Sequence, residues 1–358
     1  MLSLSYSYTR KICSCLSQVS GLTSLGISRS SHTSRKTPGS FRHGLLEAPV
    51  VTSCVVRSNF GDEVEKGPLS ASVDLVTELM SSVAKESDDS RLEAFMECLP
   101  DAIIDKAIAS KKEAGYNSDT ICFADVLELL KVGDIQISDL LFDSYAMRMI
   151  IYQQPSGPPK LLSSLLTAPE RSIHRLLVRS GGEECVLTVD LQLQEGLISQ
   201  YRSSPRIASL WRIRGVSGER GPSESLPTSP TVTVGPETVV MAQLEALRIC
   251  DIPGVYAFAS PLNKSATGLL SNFSRLFDSP VYKPLLGHTK AESLRRIQLT
   301  KDTYAEVVGI VSDNTGVGRA ARVIYVWSVG RVPEQSGLEE AGCWMVNSVQ
   351  MVSATSLT

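Results

Sequence analysis

YAEVVGIV (Tyr304–Val311) and RVIYVWSV (Arg322–Val329) are the stretches that decide the fold of this 358-residue chain. In the first, Ala305, Val307, Gly309 and Val311 share a face; in the second, Val323, Tyr325, Trp327 and Val329 do. A period of two is that of an extended strand, whose successive side chains point to opposite sides. Two similar segments flank the pair. Glu292–Leu299 precedes it, and Cys343–Val352 follows, with Cys343, Met345, Asn347, Val349 and Met351 together. Short connections between such strands imply antiparallel neighbours, because a parallel pair needs a long crossover. Gly316-Val-Gly318 lacks the rest of a dinucleotide fingerprint and reads as a hairpin loop.

Upstream the period changes. Pro236 and Glu237 start a helix in which Val240, Leu244 and Leu247 share a face. Asp251 caps a second, short helix through Phe258, stopped by Ser260-Pro261, and a third runs from Lys264 to Phe277. Helices first and hairpin-connected strands after them predict an α+β domain over 236–352, an antiparallel sheet curved round its helices.

The residues of this domain are also familiar as a set. Val239-Val240-Met241-Ala242-Gln243-Leu244, Asp251, Ala257-Phe258-Ala259-Ser260-Pro261, Asn263 and Phe273 resemble the domain of unknown function 4864 family of plants and cyanobacteria. So do Tyr282, Pro284-Leu285-Leu286-Gly287-His288 and Gly342-Cys343-Trp344-Met345. The resemblance covers about a third of the chain, in order. It implies a cone-shaped, nuclear transport factor 2-like α+β fold, and it implies no activity. A cone of that kind encloses a concave site for a small ligand. Its polar and aromatic candidates are Tyr256, Tyr282, His288, Tyr325, Trp327 and Asn347. Acid/base work needs groups that titrate near neutrality, and Asp251 with His288 is the only such pair here. Each has a plainer reading, Asp251 as a cap and His288 as the close of a turn; Trp327 and Trp344 read as core.

Before this domain, residues 215–235 hold four Gly, three Pro and few bulky apolar side chains, which reads as a linker. Residues 68–214 read as a mostly helical module with a short strand pair. Ser72–Ala84 carries Val73, Val76, Leu79, Met80 and Val83 at helical spacing, and Pro100–Ala114 is a helix stopped by Gly115. Further helices are expected over Arg91–Leu99, from Ser118/Asp119 to Leu130, and from Ser138 to Ile150. Leu161–Leu166 and Ile173–Val178 also read as helical, whereas Glu184–Leu193 alternates like a strand and Ile207–Ile213 is a second one. No internal repeat is legible across the linker.

Residues 1–46 contain twelve Ser, four Thr, six Lys/Arg and no acid. That is the composition of an organellar transit peptide, and Ser rather than Arg dominance predicts plastid over mitochondrion. Val55-Val56-Arg57-Ser58 resembles a plastid processing site, so 1–57 is expected to be removed and the protein to act in the chloroplast stroma. The remainder has 28 Lys+Arg against 37 Asp+Glu, a net charge of −9, which argues against nucleic acid. No stretch is long and apolar enough to span a bilayer as a helix. Residues 58–147 carry a net −12 and 148–214 a net +4. The acidic helices could dock a protein partner and the row Arg171, Arg175, Arg179 an acidic one, but charge runs usually mark solvated faces. Cys98, Cys122, Cys185, Cys250 and Cys343 are widely spaced and read as buried small hydrophobes. No metal or cofactor is implied. The function expected is a non-enzymatic scaffold, assembly or regulatory factor binding a protein or small ligand; the alternative is an enzyme using the cone cavity.

Overall fold

The alternation in 292–352 becomes a four-stranded antiparallel meander in the computed structural model, which describes residues 67–85, 98–116, 141–198, 206–221, 225–314 and 320–356. Its strands are β5 (Lys290–Thr300), β6 (Thr303–Ser312), β7 (Ala321–Arg331) and β8 (Trp344–Ser356), in that order. Helix α4 (Pro236–Arg248) lies against them, with Pro236 in its first turn and Val239, Val240, Gln243 and Leu247 buried. Asp251 caps α5 (Ile252–Ala257) by accepting from Gly254 N at 3.1 Å, and Ser260 caps α6 (Pro261–Thr267). The single third helix expected over 264–277 is instead two. Gly268, at φ +81°, ends α6, and α7 (Leu270–Arg275) begins after it. Only glycine adopts that conformation without strain.

Register decides which face of β6 meets the helices. Tyr304 pairs with Val329, Glu306 with Trp327, Val308 with Tyr325 and Ile310 with Val323. The inward residues are therefore Tyr304, Glu306, Val308 and Ile310, not Ala305, Val307 and Gly309. Both faces of β6 are buried, so apolar alternation alone had no way to choose. In β8 a bulge at Asn347 splits the run expected on one face. Trp344 and Val346 join the main core, while Cys343 and Met345 pack with Val332.

The first module departs further from expectation. Its helices α1 (Pro68–Lys85) and α2 (Asp101–Glu113) stand where predicted, with Val76, Leu79, Met80 and Val83 buried and Gly115 at φ +90° after α2. A short α3 (Ser144–Ala146) runs on into a π-helical turn, Met147–Tyr152. Then come four antiparallel strands: β1 (Lys160–Ala168), β2 (Arg171–Ser180), β3 (Glu183–Ile198) and β4 (Arg206–Arg220). The helices expected over 161–166 and 173–178 are thus β1 and β2. Arg171, Arg175 and Arg179 recur every four residues, a spacing that fits one helix turn and two strand periods equally. The burial of Ser172, His174, Leu176, Val178 and Ser180, every second residue, settles it. Residues 215–220, assigned to the linker, are the end of β4. The helix expected over 118–130, most of that over 91–99, Cys122 and residues 1–57 lie outside the described residues.

Both modules therefore run helices first and a four-stranded meander second, although no repeat is visible in the sequence. Cys98, Cys185 and Cys343 are buried as expected; Cys250 is exposed at φ 59°, just past α4. Among the described residues no helix is long and apolar enough to cross a membrane.

Candidate functional site

The residues singled out in the second module each have a structural partner. Tyr256 donates its hydroxyl to Gly268 O at 2.9 Å, Tyr282 to Val349 O at 3.1 Å and Tyr325 to Val281 O at 2.7 Å. Trp327 is fully buried and donates from Nε1 to Gln243 Oε1 at 2.9 Å; Gln243 in turn donates to Val255 O at 3.1 Å. Asn347 sits at the β8 bulge against Gly330, where a Cβ would come within 2.5 Å of its Nδ2. His288 is buried with Nδ1 on Leu285 O at 2.9 Å, and exposed Asp251 serves α5. No hydrogen bond or ion pair joins these last two. The structure brings Tyr325 and Trp327 edge to face at 6.1 Å, as core.

A polar site forms instead where α3 and its π turn meet β5 and α4. Arg148 is wholly buried in the π turn. Its guanidinium reaches Glu183 at the start of β3 and Glu237 in the first turn of α4, the latter at 2.5 Å. Ser144 Oγ donates to the other oxygen of Glu237 at 2.7 Å. Burial opposes the charge on Arg148, but Glu237 and Glu183 together hold its pKa above the ordinary value. Burial, with Glu237 nearby, pushes Glu183 up to about 7 against the pull of Arg148. Tyr145 lies between two guanidinium groups, Arg148 at 5.3 Å and Arg296 of β5 at 6.0 Å from its ring. Arg296 also reaches Glu306 at 3.4 Å, and Tyr304 donates to Glu306 at 2.6 Å. Burial raises the pKa of Glu306 despite these partners.

Beside this network is a cavity of about 500 Å³. One wall is the face of the first sheet turned away from its helices: Ile173, Thr188, Asp190, Gly215 and Ser217. Leu141, Phe142 and Asp143 form the floor, and Arg295 and Arg296 of β5 close the other side. Two bulges border it. One leaves Arg214 unpaired in the β3–β4 ladder beside Asp190, and the other leaves Leu294 extra in β5 just before the two arginines. A bulge re-aims the side chains next to it. Asp143 caps α3 by accepting from Ala146 N at 2.9 Å and accepts from Gly218 N at 2.6 Å. Burial nevertheless raises its pKa to about 6; the two N–H groups and Arg296 oppose the rise, and Glu237 adds to it. Asp190 is held by Arg171 through two bonds of 3.0 and 2.7 Å and by Arg214 at 3.6 Å. The row Arg171, Arg175, Arg179 is accordingly paired across its own sheet, to Asp190, Glu219 and Glu184.

Sequence reading passed over this site, though two signals were present. Arg148 is a lone charge within Ser-Tyr-Ala-Met-Arg-Met-Ile-Ile-Tyr (144–152), and Glu306 is a lone charge within a buried strand. A buried charge requires a partner. The partners of Arg148 lie 35 and 89 residues away, which no local pattern reveals.

No family profile and no curated protein matches the chain. Among solved structures, a cystatin-like protein from Ruminococcus gnavus is 14% identical at a TM-score of 0.21, covering 79% of this chain and 93% of that one. An NTF2-like protein involved in plasmid conjugation is 7% identical at a TM-score of 0.21, covering 80% and 98%. At that score neither likeness carries an argument, and the architecture rests on strand order and register.

Proposed function

We propose that this is a non-enzymatic binding protein of the plastid stroma, in which the two modules enclose a small ligand at their seam. The observation that carries the reading is the cavity of about 500 Å³ at that seam. Ligand sites span roughly 300–1,000 Å³ and mix apolar walls with a few placed polar groups, often at domain junctions. Leu141, Phe142 and Ile173 supply the apolar part, and Asp143, Thr188, Arg295 and Arg296 the polar part. The stromal address rests on the acid-free, Ser-rich residues 1–46. The nuclear transport factor 2-like description of the second module, and its kinship with the domain of unknown function 4864 family, rest on the residues quoted for the resemblance. A regulatory or assembly role follows if ligand occupancy changes what the acidic N-terminal helices dock.

Native mass spectrometry of the tagged protein, gently purified from plastids, tests this. A small displaceable extra mass is expected, and Thr188→Trp, which projects a bulky ring into the cavity, is expected to abolish it. A bound mass that survives Thr188→Trp places the ligand elsewhere and sinks the reading.

One observation favours a second reading, an enzyme. Asp143 is a cavity carboxyl that titrates near 6, where general acid/base groups work. On that reading Asp143→Asn stops turnover of the bound molecule while leaving its affinity intact.

A further inference from the structure

The charges around the seam cavity specify what it takes, given that it is a ligand site as proposed above. Four guanidinium groups stand on or directly behind its walls: Arg295 and Arg296 in β5, and Arg171 and Arg214 behind Asp190. Four carboxyls face them: Asp190, Asp143, Glu306 behind Arg296, and Glu237 behind Asp143. Asp190 is already neutralised by two arginines, one of them bidentate, and shares its own charge between them. Arg296 meets Glu306 only at 3.4 Å, longer than a well-formed charge-assisted bond of about 2.7–2.9 Å. The cavity wall therefore carries a cation, Arg296, whose pairing is incomplete.

We propose that the cavity binds a small organic anion, its carboxylate or phosphate group seated on Arg296 and Arg295 and its body on Leu141, Phe142 and Ile173. Planar guanidinium forks match either group with two parallel bonds. Asp143, on the floor, makes the binding pH-dependent. It faces Arg296 and Arg295 from β5, Glu237 from α4 and Asp190 from β3, and it holds a proton to higher pH than a free Asp because it is buried. Protonated, it presents a donor to the ligand; ionised, it repels the ligand.

Four probes of one shape and different charge test the proposal on the full chain by ligand-observed NMR: benzoate, phenyl phosphate, benzamide and benzylamine. The two anions are expected to bind and the amide and amine not. Preference for phenyl phosphate over benzoate, or the reverse, distinguishes a phosphate ligand from a carboxylate one. Arg296→Gln is expected to weaken the anions by about tenfold, the loss of one charge-assisted pair. Because Arg296 also touches Tyr145 and Glu306, Arg295→Gln serves as a second variant, expected to weaken the anions in the same way. Benzoate stays charged from about pH 5 to about pH 8, whereas a buried Asp changes state between them. Its affinity is expected to fall over that range in the wild type and stay level in Asp143→Asn. Binding of benzamide or benzylamine as tight as benzoate overturns the anion assignment and leaves the cavity as a ligand site. Anion binding that persists in Thr188→Trp overturns both.

Discussion

At the scale of single residues, Arg148 is the side chain on which most depends. It is fully buried between two carboxylates of different modules and hydrogen-bonded to both, while its Nε is buried without a partner among the described residues. Removing one member of a buried ion cluster leaves uncompensated charge, which costs about 3–5 kcal/mol, more than the intact cluster itself contributes. Arg148→Ala is expected to lose about that much in urea denaturation at neutral pH. The loss shrinks in acid, where the orphaned Glu183 takes up a proton. Asp143 gives the wild type a pH dependence of fixed sign. Its folded pKa, about 6, lies above the ordinary 3.8, so between those values the native state holds a proton that the unfolded chain has released. Stability contributed by this group is complete below the lower value and falls as pH rises to the upper one, by at most about 3 kcal/mol. Glu183, raised to about 7, acts in the same direction. Urea midpoints measured from about pH 4 to about pH 7 are expected to decline, and less steeply in Asp143→Asn. A flat or rising wild-type profile contradicts the assignment. Ser260, read from the sequence as a stop, is the cap of the next helix. The cap Asp251 was legible in the sequence because a cap acts over three residues. Arg148 was not, because its partners are fixed only by the fold.

At the scale of elements, the second module shows what alternation can and cannot say. All four of its strands were placed within a few residues, since each is bounded by turns and periodic over eight or more positions. Which face turns inward was not decidable for β6, where both are buried. In the first module Leu161–Leu166 and Ile173–Val178 were read as helices; the edge strand β1 is mostly exposed and shows only a weak alternation of burial, and the arginines of β2, four apart, fit either period. A buried polar strut links α4 to the sheet and to α5 in the second module, Trp327 Nε1 to Gln243 Oε1 and Gln243 Nε2 to Val255 O. Trp327→Phe removes the donor and leaves Gln243 Oε1 buried without a partner. An unsatisfied buried acceptor costs about 1–3 kcal/mol in addition to the lost packing. The double variant Trp327→Phe/Gln243→Leu removes both partners and is expected to recover part of the loss, measured as urea midpoints. No recovery means the indole contributes by volume alone.

At the scale of the whole molecule, two modules of the same order, helices then meander, keep separate apolar cores. Separate cores would unfold separately were nothing shared between them. What they share is polar: Glu183 and Arg148 from the first module, Glu237 from the second, and Tyr145 between Arg148 and Arg296. Opening either module alone would expose one side of this network and leave the other buried without its counter-charge. That penalty has the same origin as the cost of the Arg148→Ala substitution, about 3–5 kcal/mol, and it is a large fraction of a domain's stability of about 5–15 kcal/mol. The two modules are therefore expected to unfold as one cooperative unit. Native-state hydrogen exchange in increasing urea reads this directly, because amides of β2–β3 and of β6–β7 report the two sheets independently. In the wild type their opening free energies are expected to converge on one isotherm. In Arg148→Ala, where the seam has lost its cation, they are expected to separate into two. Two isotherms already present in the wild type would show that the buried charges do not couple the modules, and that the cavity between them opens without unfolding either core.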